Sequence, residues 1–279
     1  MNRRGTKSVW HAHKIASFDT ERILKETWVR HVDYQPEMPS TNTRAMELAS
    51  DSSIDLPAIV LTDRQTAGRG RGKNSWWSAE GAITFSLLLD LATGPQRTEL
   101  WPRLALAAAT ALCESLEYFA PGLEFGIRWP NDVFCGDRKI CGVLPELHLG
   151  PMPRVVLGVG LNVNNSIKNA PDDVSARATS LVDLGAHSPN LNDVLIRILQ
   201  RIEHRLDELL QGGEDLPKLW SSRCLLRGRG IRLRVNSEMI HGHCQGIDSH
   251  GALCLHTVRG LERHYGGTID HVDLANASS

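Results

Sequence analysis

One loop of the sequence concentrates residue types that could close over an anion and a flat ring. It runs from Gln65 to Ser78 and reads QTAGRGRGKNSWWS. Its glycines let the backbone approach a ligand closely, and Arg69, Arg71 and Lys73 supply positive charge. It is not a Walker loop, because Ala67 stands where that pattern needs glycine, and Lys73 replaces the last glycine of the dinucleotide-binding fingerprint. Taken alone, the loop could also be a solvated surface loop or an RNA contact.

A second stretch, Arg128 to Leu147, combines a polar turn with a basic residue and reads RWPNDVFCGDRKICGVLPEL. Asn131 and Asp132 offer oxygen atoms to a hard cation or hydrogen bonds to a substrate, and Lys139 begins the returning strand. The alternative is a simple hairpin in which Asn131 and Asp132 cap their own backbone. Taken alone, this stretch favours the simple hairpin.

A third stretch, Gly158 to Asn165, places glycines inside an apolar strand and reads GVGLNVNN. Glycine within a strand often marks the close approach of a ligand. A tightly packed strand end gives the same pattern and is the favoured interpretation when this motif is taken alone. The three stretches are more specific together than separately.

The hydrophobic pattern predicts the elements that must position these stretches. Ser40 or Thr41 is the natural N-cap of a helix in MPSTNTRAMELA, and apolar residues at a spacing of four predict a helix over Leu100–Phe119. Arg154–Asn164 is apolar almost throughout, which is typical of a central strand. The other predicted elements are helices at Thr20–Thr27 and Leu191–Leu210, strands at Val29–Tyr34, Pro57–Thr62 and Ala82–Asp90, and two strands within Ile127–Leu149 around a Gly136-Asp137 turn.

After Trp220 the pattern changes to short strands separated by glycine or polar turns. The segments GIRLRV, MIHGHCQGI, GALCLHTV and ERHYGGTI predict the strands of a small β-barrel. Because Gly212-Gly213 ends the preceding helix, a domain boundary is expected near residues 212–222. The predicted organisation is an N-terminal arm at 1–28, an α/β domain at 29–215 and a barrel domain at 220–275.

The composition limits the classes of protein. The chain has 279 residues and a formal net charge of −1, so no bulk field attracts it to nucleic acid or membranes. Its six cysteines form no CxxC pair and no zinc-site spacing, which is typical of reduced cysteines in a cytoplasmic protein. No secretory signal and no run of about eighteen apolar residues is visible, so we expect a cytoplasmic protein that does not span a membrane.

The order of the motifs carries a resemblance to a known family. Five motifs follow one another in the same order as in the biotin protein ligases: STN at 40–42, QTAGRGRG, RWPND, a lysine before the ICGVL strand, and GVGLNVN. The sequence resembles that family over roughly residues 30 to 275. The resemblance implies an α+β fold. Its catalytic domain, at 29–215, would be similar to that of the class II aminoacyl-tRNA synthetases, with a mixed sheet and flanking helices, and a small SH3-like β-barrel would follow.

The resemblance also implies an activity and its participants. It implies an ATP-dependent biotin--[biotin carboxyl-carrier protein] ligase that joins biotin and ATP as biotinyl-5′-AMP and transfers biotin to a lysine. ATP, Mg²⁺ and biotin are the implied small molecules. The implied partner is a biotin carboxyl carrier protein or domain of acetyl-CoA carboxylase or a related biotin carboxylase. A homodimer is left open, and neither DNA nor a membrane is an expected partner.

Motif positions assign roles to individual residues through the same resemblance. The biotin-binding residues are expected to be Ser40, Thr41, Asn42, Gln65, Arg69, Gly70, Arg71 and Lys139. The residues expected to contact ATP and the adenylate are Trp76, Arg69, Arg71, Asn131 and Asn162, with adenine lying on the Trp76 ring. Catalysis is expected to depend on Arg71, Lys139 and Asp132. No tightly bound metal is expected, and Mg²⁺ would arrive with ATP near Asp132.

The sequence departs from many relatives in two places. They carry GRGRRGRxW, whereas Gly72-Lys73-Asn74-Ser75 fills the gap to Trp76 here. Many also carry an N-terminal winged helix-turn-helix, for which the stretch before the first catalytic strand is too short. We therefore expect no binding to operator DNA.

Two alternatives remain open for the function. A lipoate-protein ligase would share the fold and the adenylation chemistry, but its RRxSGGG-type loop is absent. The other alternative is a non-catalytic relative that binds a nucleotide or RNA. The presence of Arg71, Asp132 and Lys139 argues against this alternative. Release of pyrophosphate with either biotin or lipoate would separate these possibilities.

Overall fold

A seven-stranded mixed sheet carries all three motif stretches. The computed structural model describes residues 17–90, 101–150, 152–213 and 215–273. The strands of this sheet are β1 (His31–Met38), β2 (Ala58–Gln65), β3 (Ile83–Leu89), β4 (Phe125–Arg128), β5 (Asp132–Cys135), β6 (Arg138–His148) and β7 (Arg154–Leu161). Their order is β1-β2-β3-β7-β6-β5-β4, and only β1 and β2 run parallel. Every residue of β7 is buried, which confirms the central position predicted from its apolar sequence.

Helices cover the two faces of this sheet. They are α1 (Thr20–Glu26), α2 (Thr41–Leu48), α3 (Trp101–Phe119), α4 (Asp172–Ser175), α5 (Leu191–Leu210) and α6 (Asp215–Ser222). Successive side chains of a strand point to opposite faces of the sheet, so each strand contributes to two packed layers. On β2, Ile59 and Leu61 belong to the core formed with α3 and α5, whereas Ala58 and Val60 pack with α2. Because α2 is short, part of its face of the sheet stays open. No helix in the described ranges is long and apolar enough to cross a membrane.

Two elements of the main domain differ from the sequence prediction. Three strands, β4, β5 and β6, stand where two were predicted, because Pro130 has no N–H to continue a ladder and a turn separates β4 from β5. Helix α6 was not predicted, since Pro217 lies inside it. Proline is tolerated in the first turn of a helix, where the missing N–H has no intrahelical partner. Residues 1–16 of the predicted arm lie outside the described residues.

The C-terminal sheet is curled rather than closed. It contains β8 (Gly230–Val235), β9 (Glu238–Ile247), β10 (Leu253–Thr257), β11 (Gly260–His264) and β12 (Thr268–Val272), in the order β11-β10-β9-β8-β12. The predicted ERHYGGTI strand is thus two strands, which lie at opposite edges. The four Cα steps that join them span at most about 14 Å, whereas a flat sheet of five strands would separate its edges by about 19 Å. The sheet must therefore curl, but hydrogen bonds do not close the predicted barrel.

The segment between α6 and β8 and the turn between β9 and β10 contact β4 and the turn that follows it. Ile127 N donates to Arg223 O (2.7 Å), and Leu225 N donates to Ile127 O (3.0 Å). Trp129 is only 1% exposed and donates from Nε1 to Gly251 O at 3.0 Å. These contacts bring the C-terminal sheet next to the RWPND motif. Helix α6 lies within the predicted domain boundary. The division of the chain into domains at 29–215 and 220–275 stays a proposal.

Candidate functional site

A cavity of about 640 Å³ opens on the α2 face of the main sheet. Its walls are the N-terminus of α2, the loop after β2, the turns around β5 and the start of β12. The fold brings all twelve residues that the motifs singled out to this one cavity. They are Ser40, Thr41, Asn42, Gln65, Arg69, Gly70, Arg71, Trp76, Asn131, Asp132, Lys139 and Asn162.

Glycines form much of the floor of the cavity. One cross-strand row runs from Thr84 on β3 to Gly160 on β7, Gly142 on β6 and Asp132 on β5. A Cβ atom added at Gly160 would lie 2.4 Å from Cε2 of Trp76, so the indole ring lies directly over this glycine. The two glycines therefore leave room for side chains to lie flat against the sheet, the Trp76 ring over Gly160 and the Lys139 ammonium over Gly142.

The end of the cavity next to α2 is a buried polar cluster. Ser40 is the N-cap of α2, and its hydroxyl accepts a hydrogen bond from the first turn. Gln65 Oε1 accepts from Thr41 N at 2.7 Å and from Thr41 Oγ1 at 3.2 Å. Ser86 Oγ lies 2.8 Å from Thr41 Oγ1 and 2.6 Å from Asn42 Oδ1. Because hydroxyl and amide groups both donate and accept, this end suits a neutral head group with both kinds of atom.

A charged centre occupies another part of the cavity, around Asp132. Lys139 Nζ lies 2.6 Å from Asp132 Oδ1. Burial lowers the pKa of the Arg71 and Arg128 guanidinium groups, and the negative charge of Asp132 partly offsets this shift in both. Three cations thus lie near two carboxylates, because Asp137 also acts on Arg128. The excess positive charge favours anions such as carboxylates and phosphates.

The second arginine of the glycine-rich loop reaches the C-terminal sheet. Arg71 Nη2 donates to Gly267 O and lies 3.3 Å from Thr268 Oγ1. Thr268 and Ile269, at the start of β12, also line the cavity. The C-terminal sheet therefore supplies one wall of the site, a contribution that the sequence motifs did not predict.

The two asparagines expected at the nucleotide are engaged with the protein itself. Asn131 donates from Nδ2 to Val143 O. Asn162 donates from Nδ2 to Thr179 O at 3.0 Å, and its Oδ1 accepts from Asn165 Nδ2 at 2.9 Å. Both line the cavity, but these bonds hold the two amides in place. Asn162 still has a second N–H on Nδ2 and a second lone pair on Oδ1 for a nucleotide contact.

Sequence reasoning assigned no role to several lining residues. Arg128 lies within the quoted RWPND motif, and its guanidinium sits 4.0 Å over the ring of Phe134. Within the described ranges, Arg128 Nε and Thr84 Oγ1 are buried and have no hydrogen-bond partner. The sequence did contain a signal for Thr84. Thr84 and Ser86 are the polar residues of the otherwise apolar strand ITFSLLL, and they lie on the same face of that strand.

The comparisons with known proteins agree with this arrangement. Residues 34–162 match the biotin/lipoate A/B protein ligase family, and residues 227–272 match the biotin protein ligase C-terminal domain. The chain is 32% identical over 275 residues to the bifunctional ligase/repressor BirA of Bacillus subtilis, covering 97% of this chain and 83% of the relative. It is 34% identical over 246 residues to the biotin--[acetyl-CoA-carboxylase] ligase of Mycobacterium tuberculosis, covering 84% and 89%.

A solved structure extends the similarity to the fold. The biotin protein ligase from Aquifex aeolicus, in complex with biotin and ATP, superposes with a TM-score of 0.74 at 28% identity. The match covers 86% of this chain and 98% of that one. The chain therefore belongs to the biotin/lipoate A/B protein ligase family and carries the C-terminal domain of the biotin protein ligases.

Proposed function

We propose that the chain activates biotin with ATP to biotinyl-5′-AMP and then transfers biotin to a lysine of a biotin carboxyl carrier domain. One observation carries the proposal: a single cavity joins a polar cluster at α2, a glycine floor under an indole ring and a centre of excess positive charge. Biotinyl-5′-AMP has a matching set of parts, namely a polar ureido ring, a flat adenine and an anionic junction. The similarity to ligases of this kind supports the same assignment.

The first step joins two anions. A biotin carboxylate oxygen attacks the α-phosphorus of ATP, a new P–O bond forms, and the bond to the β-phosphate oxygen breaks as pyrophosphate leaves. The approach is opposed by repulsion between the carboxylate and the phosphates. Lys139, Arg71 and Arg128 would offset that repulsion, and more strongly in a half-buried site than in water.

The second step moves the acyl group. The amine of a carrier lysine attacks the acyl carbon, a C–N bond forms, and the C–O bond to AMP breaks. The amine loses a proton in this step, and Asp132 is the carboxylate at the charged centre that could receive it. We assign the role of proton acceptor to Asp132. We assign to Arg71 the role of binding the leaving AMP.

The site also fits the Mg²⁺ that accompanies ATP. Three carboxylates, those of Asp132, Asp137 and Asp173, line the cavity, but the described residues include no cluster of three or more His, Cys, Asp or Glu that could hold a metal ion. Mg²⁺ on a triphosphate keeps several waters and takes only one or two carboxylates. The metal would then offset charge on the departing pyrophosphate, with Asp132 as the nearest proposed ligand.

The first test separates biotin from lipoate. With Mg²⁺ and ATP, the purified chain is expected to release pyrophosphate when biotin is added and to stay at background with lipoate. The reason is that the α2 end offers paired donors and acceptors for a ureido group, which lipoate lacks. Release with lipoate alone would make the chain a lipoate ligase, and release with neither would favour a non-catalytic relative.

Other parts of the proposal rest on the family alone. We propose a cytoplasmic protein whose partner is the carrier of acetyl-CoA carboxylase or of a related biotin-dependent enzyme. A homodimer remains open.

A further inference from the structure

Thr84, on β3, has a hydroxyl group without a partner in the wall of the cavity. The residue is only 3% exposed and lines the cavity. Its Oγ1 atom is shielded from solvent and forms no hydrogen bond with any residue in the part of the chain that the structure describes. A buried hydroxyl without a partner lowers the stability of a fold. In a cavity wall, such a group therefore points to a ligand that completes its hydrogen bonding.

The neighbours of Thr84 on the sheet explain why its hydroxyl is left over. Ser86 Oγ, two residues along β3 on the same face, is bonded within the polar cluster at α2. Thr62, directly opposite on β2, donates its own hydroxyl to Arg64 O at 3.2 Å. Gly160, directly opposite on β7, has no side chain. Of these three hydroxyl groups, the fold therefore satisfies the other two and leaves that of Thr84.

A second donor without a partner lies beside the first. Thr84 and Gly160 are directly opposite each other, so their Cβ positions are about 5 Å apart. The ring of Trp76 covers Gly160, and the ring atom nearest to a Cβ added there is Cε2, which is bonded to Nε1. Nε1 itself is buried and has no partner among the described residues. An O–H and an N–H donor at one place suit a single oxygen atom, which can accept two hydrogen bonds.

The position of these donors in the cavity indicates which oxygen they meet. Ser86 and Thr84 are two residues apart, so the polar cluster lies about 7 Å from the row of Thr84. The same row continues through Gly142, over which the Lys139 ammonium lies. A ligand whose polar head group lies in the cluster and whose anionic junction lies at Lys139 must bring the end of its acyl chain past Thr84 and Trp76.

We propose that the Thr84 hydroxyl is a catalytic donor to the acyl oxygen of biotinyl-5′-AMP, with Trp76 Nε1 as the second donor. The inference rests on the proposed function. When the carrier amine attacks the acyl carbon, the π electrons of the C=O bond move onto this oxygen. They return when the C–O bond to AMP breaks, and the hydroxyl keeps its proton throughout.

The charge on this oxygen changes in opposite directions in the two steps. During transfer the acyl oxygen gains negative charge, so its hydrogen bond from Thr84 becomes stronger in the transition state. During adenylation the carboxylate loses charge as the mixed anhydride forms, so the same hydrogen bond becomes weaker. The Thr84 hydroxyl therefore accelerates transfer, whereas in the first step it only helps to bind biotin.

Thr84→Val tests this division, because it keeps the shape of the side chain and replaces the hydroxyl with a methyl group. Single-turnover transfer from synthetic biotinyl-5′-AMP should slow by about thirtyfold, since one donor to a developing oxyanion is lost. For pyrophosphate release, kcat should stay within about threefold of wild type while the KM for biotin rises about fivefold. The reason is that this step loses only a contact with the ground-state carboxylate.

Thermal unfolding of the ligand-free chain gives a readout that does not depend on activity. Thr84→Val should raise the unfolding midpoint by about 2 °C, because it removes a buried hydroxyl that no group in the protein satisfies. Thr62→Val is the matched control: it is the same change at the directly opposite position, outside the cavity, and it removes a hydroxyl that has an acceptor. It should lower the midpoint and leave both steps unchanged.

Thr84→Ser restores the hydroxyl without the methyl group and should keep transfer within about threefold of wild type. The inference is overturned if Thr84→Val transfers at the wild-type rate, if it lowers the midpoint as Thr62→Val does, or if Thr84→Ser is as slow as Thr84→Val. A wild type that forms no biotinyl-5′-AMP would instead contradict the proposed function, and the inference with it.

Discussion

Lys139→Gln is expected to slow the formation of biotinyl-5′-AMP by about a hundredfold and transfer from supplied biotinyl-5′-AMP by about tenfold or less. Lys139 is the second residue of β6, its ammonium lies 2.6 Å from Asp132 Oδ1, and a Cβ atom added at Gly142 would lie 3.2 Å from Nζ. The lysine is therefore directed over the glycine floor, where the carboxylate and the α-phosphate would meet. Negative charge is most crowded there during the first step, so loss of the ammonium should affect that step most.

The two rates are measured separately. Pyrophosphate release reports the first step, and single-turnover transfer from synthetic biotinyl-5′-AMP reports the second. Lys168→Gln, at an exposed position that does not line the cavity, serves as the control and should leave both rates unchanged. Equal losses in both steps would make Lys139 a general binding contact, and no loss in either would make it a solvated lysine at a strand end.

Asp132→Asn is expected to produce the opposite pattern. Transfer to the carrier lysine should fall by about a hundredfold, because a positioned general base contributes at least that factor. Formation of biotinyl-5′-AMP should change by about tenfold or less, since the substitution removes a negative charge from the place where two anions meet. The same two assays measure it, and Asp55→Asn, which is exposed and outside the cavity, is the control.

The pair of variants is more informative than either alone. If Asp132 only fixes the position of Lys139, then Asp132→Asn should copy the Lys139→Gln pattern and slow the first step most. If Asp132 serves the incoming amine, the two variants should divide between the steps. A similar loss of both steps in both variants would contradict the separate roles given to the two residues.

Elements that depend on the local sequence pattern were predicted correctly. The apolar sequence of β7 predicted a central strand, and Ser40 or Thr41 was the predicted N-cap of α2, which the structure places at Ser40. The site was predicted through motif order, and its residues line one cavity. Local propensity and helix capping act over a few residues, so a sequence records them directly.

Contacts between distant segments were not predictable in the same way. Glu146 meets Arg69 across 77 residues, and Arg71 meets Thr268 across 197. Each depends on the register of a strand and on the docking of the C-terminal sheet, which no local pattern specifies. The placement of β11 and β12 at opposite edges was missed for the same reason, since ERHYGGTI looks continuous until the glycines at 266 and 267 are seen to turn the chain.

The most direct measurement of the proposed function supplies the purified chain with Mg²⁺, ATP, biotin and a purified biotin carboxyl carrier domain. Streptavidin detection and peptide mass spectrometry then show whether, and where, biotin is attached. The account predicts that one lysine of the carrier is labelled and that labelling requires ATP. A carrier that stays unlabelled here, although a known biotin protein ligase labels it, would contradict the account.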